Sequence, residues 1–139
     1  MDSRSNLAQA ELDFTKKSGE FVCENVVFNW EIVPQVSGTF RAPKGRANRE
    51  CLDAAKVGST IVLRHWQPGD RFQPIGMNCP VKLQDLFTNG KIPRAQRHAL
   101  VLATTANGAL FWVEKLRMSE QFKLSNRTNR RLQWSWKRL

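Results

Sequence analysis

Alternation of apolar and polar side chains is strongest between residues 26 and 33, where one face is wholly apolar. That face consists of Val26, Phe28 and Trp30. The preceding run, 21–23, has a similar composition, and Glu24-Asn25 between the two runs is typical of a turn. The pattern predicts a β-hairpin that Pro34 and Gly38 end.

The last ten residues repeat this alternation. Over 130–139, Leu132, Trp134 and Trp136 share one side and polar residues occupy the other, which predicts a half-buried terminal strand. Because three tryptophans, Trp30, Trp112 and Trp134, alternate with polar neighbours, we expect all three in the core.

The middle of the chain combines strands with short helices. Strands are predicted at 50–53, 60–66, 100–105 and 109–114, and Asn107-Gly108 separates the last two as a hairpin turn. An amphipathic helix is predicted over 82–87, and a second short helix begins at Pro93. The fold class is therefore α+β, with a mixed, mainly antiparallel sheet and two short inserted helices.

Residues 1–18 are more polar and are interpreted as a peripheral N-terminal extension of a domain that spans 19–139. Leu7, Ala10 and Phe14 have the spacing of a short helix. The segment 41–49 is basic and contains Pro43 and Gly45, which favours an exposed loop.

Charge is distributed unevenly along the chain. The net charge is +10, and residues 81–139 contain 12 Lys/Arg against 3 Asp/Glu, whereas residues 1–80 contain 10 against 9. A one-sided basic field attracts polyanions, nucleic acid above all, although a solvated basic surface that aids solubility is the alternative.

Composition also argues against several classes of protein. No apolar run reaches the roughly 18 residues of a membrane span, and the N-terminus lacks the apolar core of a signal peptide, so we expect a cytoplasmic protein. Cys23, Cys51 and Cys79 are widely spaced, so we expect no metal site and no disulfide framework.

A turn-rich loop follows the strand at 60–66. In it, Pro68-Gly69-Asp70 forms a tight turn, and the Asp70 carboxylate can accept backbone N–H bonds across that turn. Arg71 then projects from a rigid base, which matters because ordering a long side chain on binding costs roughly 0.5–1.5 kcal/mol.

This loop opens an ordered series of motifs. The series runs Arg64-x-x-x-Pro68-Gly69-Asp70-Arg71-Phe72-x-Pro74-x-Gly76, Lys82-Leu83-x-Asp85-x-Phe87, Lys91-Ile92-Pro93-Arg94 with Arg97, Phe111-Trp112-Val113, and Leu116-Arg117-x-Ser119-Glu120. Over about residues 50–128 it resembles the C-terminal domain of bacterial tRNA(Ile)-lysidine synthase. One departure is Asn78-Cys79-Pro80-Val81, where that family usually has a Gly- and Lys-rich segment.

The resemblance implies a fold similar to that domain and to a domain of the phenylalanyl-tRNA synthetase β chain. The family enzyme joins lysine to the wobble cytidine of a minor isoleucine tRNA, using ATP, in a separate N-terminal domain with a Ser-Gly-Gly-x-Asp-Ser phosphate loop. No such run occurs here. The resemblance implies a non-catalytic domain that holds the tRNA acceptor-stem region, needs no cofactor itself, and serves a phosphate-loop ATPase domain in cis or in trans.

Candidate tRNA contacts are the cations of the motif series and of the basic second half. They are Arg64, Arg71, Lys82, Lys91, Arg94, Arg97, Arg117, Lys123, Arg127 and Arg130. Alternatives stay open: Arg71 can pair with Asp70 or Asp85, Arg117 can pair with Glu120, and Arg64 can project from the solvent face of its strand. Trp66 is the tryptophan to test for base stacking.

A second hypothesis makes the chain a structural or assembly module. The apolar run at 20–33 and the Trp-rich tail could overfill one small core and dock a partner protein or a second copy in a homodimer. Catalysis by the chain alone is the least expected function.

Overall fold

A computed structural model describes residues 7–13, 15–34 and 48–139. The strands are β1 (Ala8–Glu11), β2 (Ser18–Cys23), β3 (Val26–Pro34), β4 (Arg49–Asp53), β5 (Thr60–Arg64), β6 (Arg71–Phe72), β7 (Val81–Lys82), β8 (Leu102–Thr105), β9 (Leu110–Val113) and β10 (Arg130–Arg138). The helices are α1 (Ala54–Val57), α2 (Leu83–Asn89), α3 (Arg94–Arg97) and a 3-10 turn at Glu120–Phe122.

Two four-stranded antiparallel sheets form the body of the fold. Sheet A has the order β1-β5-β8-β9, and sheet B has the order β2-β3-β10-β4. The predicted hairpins are both present: Glu24 and Asn25 turn between β2 and β3 with positive φ, and Gly108 does so between β8 and β9. The predicted α+β class, with mainly antiparallel strands, is confirmed.

The main core lies between the two sheets. Sheet B contributes the predicted apolar face, Phe28 and Trp134 among others, and sheet A contributes Leu63, Ala103 and Trp112. The prediction that Trp30, Trp112 and Trp134 belong to the core is confirmed, since each is at most 6% exposed. Gly19 lacks a Cβ where one would lie 2.7 Å from the Trp30 ring, so this close approach requires glycine.

A third layer covers the outer face of sheet A. It is formed by residues 65–101 between β5 and β8, here called the insert layer, with the β6–β7 ribbon, α2 and α3. Its own apolar cluster, centred on Phe72, Leu83 and Phe87, packs on Leu102 and Val113 of sheet A. The two predicted inserted helices are therefore confirmed, and they lie in one layer.

The N-terminal prediction of a helix was wrong. Ala8–Glu11 forms a strand that pairs with β5, and Leu12 is buried in the main core. Three apolar residues at helical spacing are a weak signal, and pairing with an open sheet edge overrides it. Phe14, most of the predicted basic loop 41–49, and Gly38 lie outside the described residues.

Helix α1 was not predicted from the sequence. It is a single turn whose N-cap is Asp53, which accepts a hydrogen bond from the Ala55 backbone N–H at 3.1 Å. Four residues are too few to show a helical period, so pattern alone could not distinguish α1 from a loop.

Candidate nucleic-acid interface

The Pro68-Gly69-Asp70 turn is held by a bidentate ion pair with Arg64. The guanidinium donates to both Asp70 oxygens, at 2.9 and 3.0 Å, and the Gln67 backbone N–H donates to Asp70 Oδ2 at 2.8 Å. Because Arg64 lies in register with Leu102 on the insert-covered face of sheet A, its side chain is only 14% exposed. The alternative that it projects into solvent is wrong, and its observed role is to fix the turn.

Arg71 and Lys82 face each other across the β6–β7 ribbon. They are direct register partners, and both are exposed. The alternative in which Arg71 pairs with Asp70 or Asp85 is wrong: among the described residues, its guanidinium donates one long bond, at 3.3 Å, to the Pro80 carbonyl. Like charges placed opposite each other destabilise a strand pair, so this arrangement favours an anion between them.

Three further cations follow α2. Lys91 has a positive φ of 58°, a conformation that side chains bearing a Cβ rarely adopt, and it is exposed. Arg94 and Arg97 lie three residues apart in α3, as predicted, and therefore share a side of that helix. Arg97 is fixed by a hydrogen bond from its Nε to the Ile92 carbonyl at 2.9 Å, with its guanidinium 5.9 Å from the Phe87 ring centre.

These five residues are here called the insert cations: Arg71, Lys82, Lys91, Arg94 and Arg97. Within the described part of the chain, none of them forms an ion pair with a carboxylate. Residues 65–101 contain two acids, Asp70, which is bound to Arg64, and the exposed Asp85. The layer thus presents more positive charge than its own carboxylates can neutralise.

The remaining candidates lie outside the insert layer. Arg117 binds Glu50 at 2.6 Å, which raises the pKa of Arg117, and the predicted alternative pair with Glu120 is wrong. Glu120 instead pairs with Lys123, while the Gly76 backbone N–H and that lysine lower the pKa of Glu120. Arg127 is exposed in the loop before β10, and Arg130 begins β10.

Two buried carboxylates were missed by sequence reasoning. Glu50 and Glu114 are each only 5% exposed at the side chain, and they bind Arg117 and Arg138. Glu114 accepts from Arg138 Nε at 2.6 Å, from its Nη2 at 2.8 Å, and from the Val101 backbone N–H at 2.9 Å. Glu50 and Arg117 lie 67 residues apart along the chain, and Glu114 and Arg138 lie 24 apart, so no local sequence spacing predicts either pair.

The aromatic candidate Trp66 is half-buried. Its ring packs at 5.8 Å from Phe87 and at 5.0 Å from His98, measured between ring centres. Trp66 therefore packs within the insert layer against its apolar cluster, and its role in base stacking stays a prediction.

The predicted overfilled core has no counterpart in the described ranges. Their apolar strand faces are buried between the sheets, and the exposed large hydrophobic residues are Val22, Met77 and Leu139. The assembly hypothesis stays a prediction without an apolar patch to support it.

No helix among the described residues is long and apolar enough to cross a membrane. No group of three or more His, Cys, Asp or Glu side chains in the same ranges could hold a metal ion.

Comparison with known families gives a match that covers the insert layer, three strands of sheet A and the first half of β10. A family model described as the TilS substrate C-terminal domain matches residues 61–134. The tRNA(Ile)-lysidine synthase of Clostridium acetobutylicum is 39% identical over 90 residues, covering 65% of this chain and 19% of that protein. The enzyme of Clostridium perfringens strain 13 is 28% identical over 134 residues, covering 95% and 28%.

Solved structures agree on the fold. A crystal structure of a TILS C-terminal domain has a TM-score of 0.68 at 22% identity, covering 96% of this chain and 92% of that one. An N-terminal fragment of the Pyrococcus horikoshii phenylalanyl-tRNA synthetase β-subunit has a TM-score of 0.51 at 15% identity, covering 63% and 27%.

The matched region thus spans 19% and 28% of the length of these two relatives. The motif series, the family model and the shared fold all point to the same assignment. The chain belongs to the tRNA(Ile)-lysidine synthase family, in which it corresponds to the C-terminal domain.

Proposed function

We propose that this chain is a non-catalytic tRNA-binding domain that holds the acceptor-stem region through the insert cations. Lysine would be joined to the wobble cytidine of the tRNA by a separate phosphate-loop domain, which acts in cis or in trans and is the part that uses ATP and lysine. The proposed location is the cytoplasm.

The observation that carries the proposal is the excess of unpaired cations in one layer. Arg71 and Lys82 face each other and form no ion pair with a carboxylate of the described ranges, and Arg94 and Arg97 share one side of α3. Polyphosphate backbones supply the closely spaced anions that such a surface lacks, and neutralising them releases counterions from the nucleic acid.

The stiffness of the insert layer supports an RNA partner with a fixed shape. The layer has its own apolar cluster, Arg64 fixes the turn before Arg71, and Arg97 is bound to a backbone carbonyl. Proteins hold duplex RNA mainly through phosphate and 2′-OH contacts matched to its shape, and pre-ordered side chains lose less freedom when they make those contacts.

A salt titration of tRNA binding tests the proposal. The affinity of the chain for a tRNA transcript should fall steeply between about 50 and about 200 mM salt, with a log–log slope of roughly −0.9 per phosphate neutralised. Because all five insert cations are available, we expect a slope of about −4.5 if each of them contacts a phosphate. Absent binding at low salt, or a slope near zero, would contradict the proposal.

Catalysis is tested separately. The chain alone should support no lysine-dependent exchange between ATP and pyrophosphate, because its proposed role is to bind RNA. A positive exchange with purified chain would contradict the non-catalytic part of the proposal and leave the binding part standing.

A further inference from the structure

An open cleft of about 580 Å³ lies beside the insert layer, which contributes Pro74 to its lining. It is lined by side chains of β4, β10 and the segment that follows β9. The residues that matter here are Glu50, Glu114, Lys115, Arg117, Trp136 and Arg138. None of the cations in this cleft is needed for the RNA contacts proposed for the insert layer.

Two arginines in the cleft are held in fixed positions. Arg117 donates from Nε and Nη2 to Glu50 at 2.6 and 3.2 Å, and Arg138 donates from Nε and Nη2 to Glu114 at 2.6 and 2.8 Å. A guanidinium has five N–H donors, so in each arginine Nη1 keeps its donors free of partners among the described residues. Both side chains stay accessible, at 56% and 39% exposed.

Trp136 supplies an aromatic surface beside these donors. Its ring packs against Trp112, with ring centres 4.9 Å apart, so the indole is held in place while the residue stays half-buried at the cleft. A fixed, partly exposed aromatic ring next to cations is the arrangement that proteins use to stack single-stranded bases.

Lys115 adds a strained cation at the rim. It is exposed and has a φ of 73°, where glycine or asparagine is the usual residue. Such backbone strain is concentrated at functional sites. With Lys115, Arg117 and Arg138 set against Glu50 and Glu114, the cleft has three cations, two anions and a formal charge of +1.

We infer that this cleft binds one unpaired nucleotide of an RNA strand, with its base on Trp136 and its phosphate at the arginine donors and Lys115. The single net positive charge matches a single phosphate, and the aromatic ring distinguishes the ligand from a bare anion. The inference rests on the proposed function, because it assigns the cleft to an unpaired nucleotide of the RNA held by the insert layer.

The cleft and the insert layer are in direct contact. Arg138 Nη2 donates to the Ala99 carbonyl at 3.2 Å, two residues beyond the end of α3, and Glu114 accepts from the Val101 backbone N–H. RNA bound at α3 would therefore lie within reach of the cleft.

The experiment compares RNA hairpins that share one duplex stem. One hairpin is blunt, one has a single-stranded 3′ overhang of about four nucleotides, and one has a 5′ overhang of the same length. Affinities are measured by fluorescence anisotropy. One overhang should bind roughly tenfold more tightly than the blunt stem, since stacking one base on an aromatic side chain contributes about that much.

Two variants address the cleft directly. Trp136→Leu should abolish the overhang gain, with its thermal melting checked because Trp136 contacts the core. Lys115→Asn keeps the positive φ accessible, is exposed, and should reduce the gain by about threefold, the effect of about one screened ionic contact. Binding of the blunt stem should be unchanged in Lys115→Asn.

Lys91→Asn is the matched control, because Lys91 is the exposed lysine with a positive φ in the insert layer. It should weaken all three hairpins equally. If the wild-type chain binds none of the hairpins, the proposed function fails and this inference fails with it. If wild type binds the stem well but neither overhang improves the affinity, or if Lys115→Asn and folded Trp136→Leu both retain the full gain, this inference alone is overturned.

Discussion

The insert layer and the region around the two sheets use cations in opposite ways. Arg71, Lys82, Lys91, Arg94 and Arg97 meet no carboxylate within the described ranges. By contrast, Arg117 and Arg138 bind buried glutamates, and Lys123 binds Glu120. Arg64, at the boundary of the two regions, forms an ion pair with Asp70. A net charge of +10 therefore does not by itself identify which cations are available to a ligand.

The difference separates two kinds of contribution. A cation paired with a buried carboxylate stabilises the fold, because removing it leaves a desolvated charge without a partner, and it offers a ligand only the donors that the pair leaves free. An exposed cation without a partner contributes little to folding and keeps its donors for a ligand. Substitutions in the two regions should consequently affect different measurements.

The largest expected effect is on RNA affinity. Arg71→Ala, Lys82→Ala and Arg94→Ala together should weaken tRNA binding by roughly 30-fold to 100-fold and reduce the magnitude of the salt slope by about 3, because three phosphate contacts are lost. The matched control combines Lys16→Ala, Lys56→Ala and Lys137→Ala, which removes the same charge from exposed positions outside the insert layer. Equal losses in both triple variants would show that net charge, and not its location, drives binding.

Arg64→Ala comes next and should change stability. Asp70 would lose both guanidinium bonds in a mostly buried site, so the free energy of unfolding should fall by about 1–3 kcal/mol in urea denaturation. Arg64→Lys should restore little of it, since an ammonium cannot make the bidentate contact. Arg71→Ala, from the neighbouring insert cation, is the control and should stay within about 0.5 kcal/mol of wild type. A greater loss of unfolding free energy in Arg71→Ala than in Arg64→Ala would contradict the assignment of Arg64 to folding and of Arg71 to ligand binding.

Lys123→Ala should have a smaller effect on stability. Lys123 is 51% exposed, so its pair with Glu120 is screened by water, and the unfolding free energy should change by at most about 0.5 kcal/mol. A loss of several kcal/mol would mean that exposure is a poor guide to the contribution of these pairs.

The smallest effect concerns pH. The Gly76 backbone N–H and Lys123 hold the pKa of Glu120 below its usual value of 4.5. A lowered pKa stabilises the fold above the unfolded-state value, and that stabilisation is lost as the pH falls through 4.5 towards the folded-state value. Glu120→Gln should therefore be slightly less stable than wild type at pH 7 and converge with it in acid. A gap that widens below pH 4.5 would contradict this sign.

The elements that sequence predicted well are those with a strict period or a strong turn. Strand β3 and strand β10 alternate over nine residues each, and their register as neighbours in sheet B follows from burying both apolar faces. Helix α1 and strand β1 span only four residues each, which is too short for a pattern, and their states depend on tertiary pairing.

The sequence predicted which cations belong to the candidate site, but it did not predict which of them form ion pairs. The sequence named the insert cations together with Arg64 and Arg117, but whether a cation is free depends on carboxylates far away in the chain. Glu50 in β4 of sheet B binds Arg117 across 67 residues, and the contact forms because the segment after β9 of sheet A lies beside β4 in the fold. Such contacts are set by the fold as a whole, and no local motif encodes them.

The central claim is that the insert layer is the RNA-binding surface. It is tested most directly by asking which lysines bound tRNA protects from chemical acetylation. Lys82 and Lys91 lie in the insert layer, whereas Lys56 and Lys137 are exposed elsewhere, so all four report within one sample. Mass spectrometry after brief acetylation should show Lys82 and Lys91 protected when tRNA is bound, with Lys56 and Lys137 modified as in the free chain. Protection confined to Lys56 and Lys137, or equal at all four, would contradict the assignment of the insert layer as the RNA-binding surface.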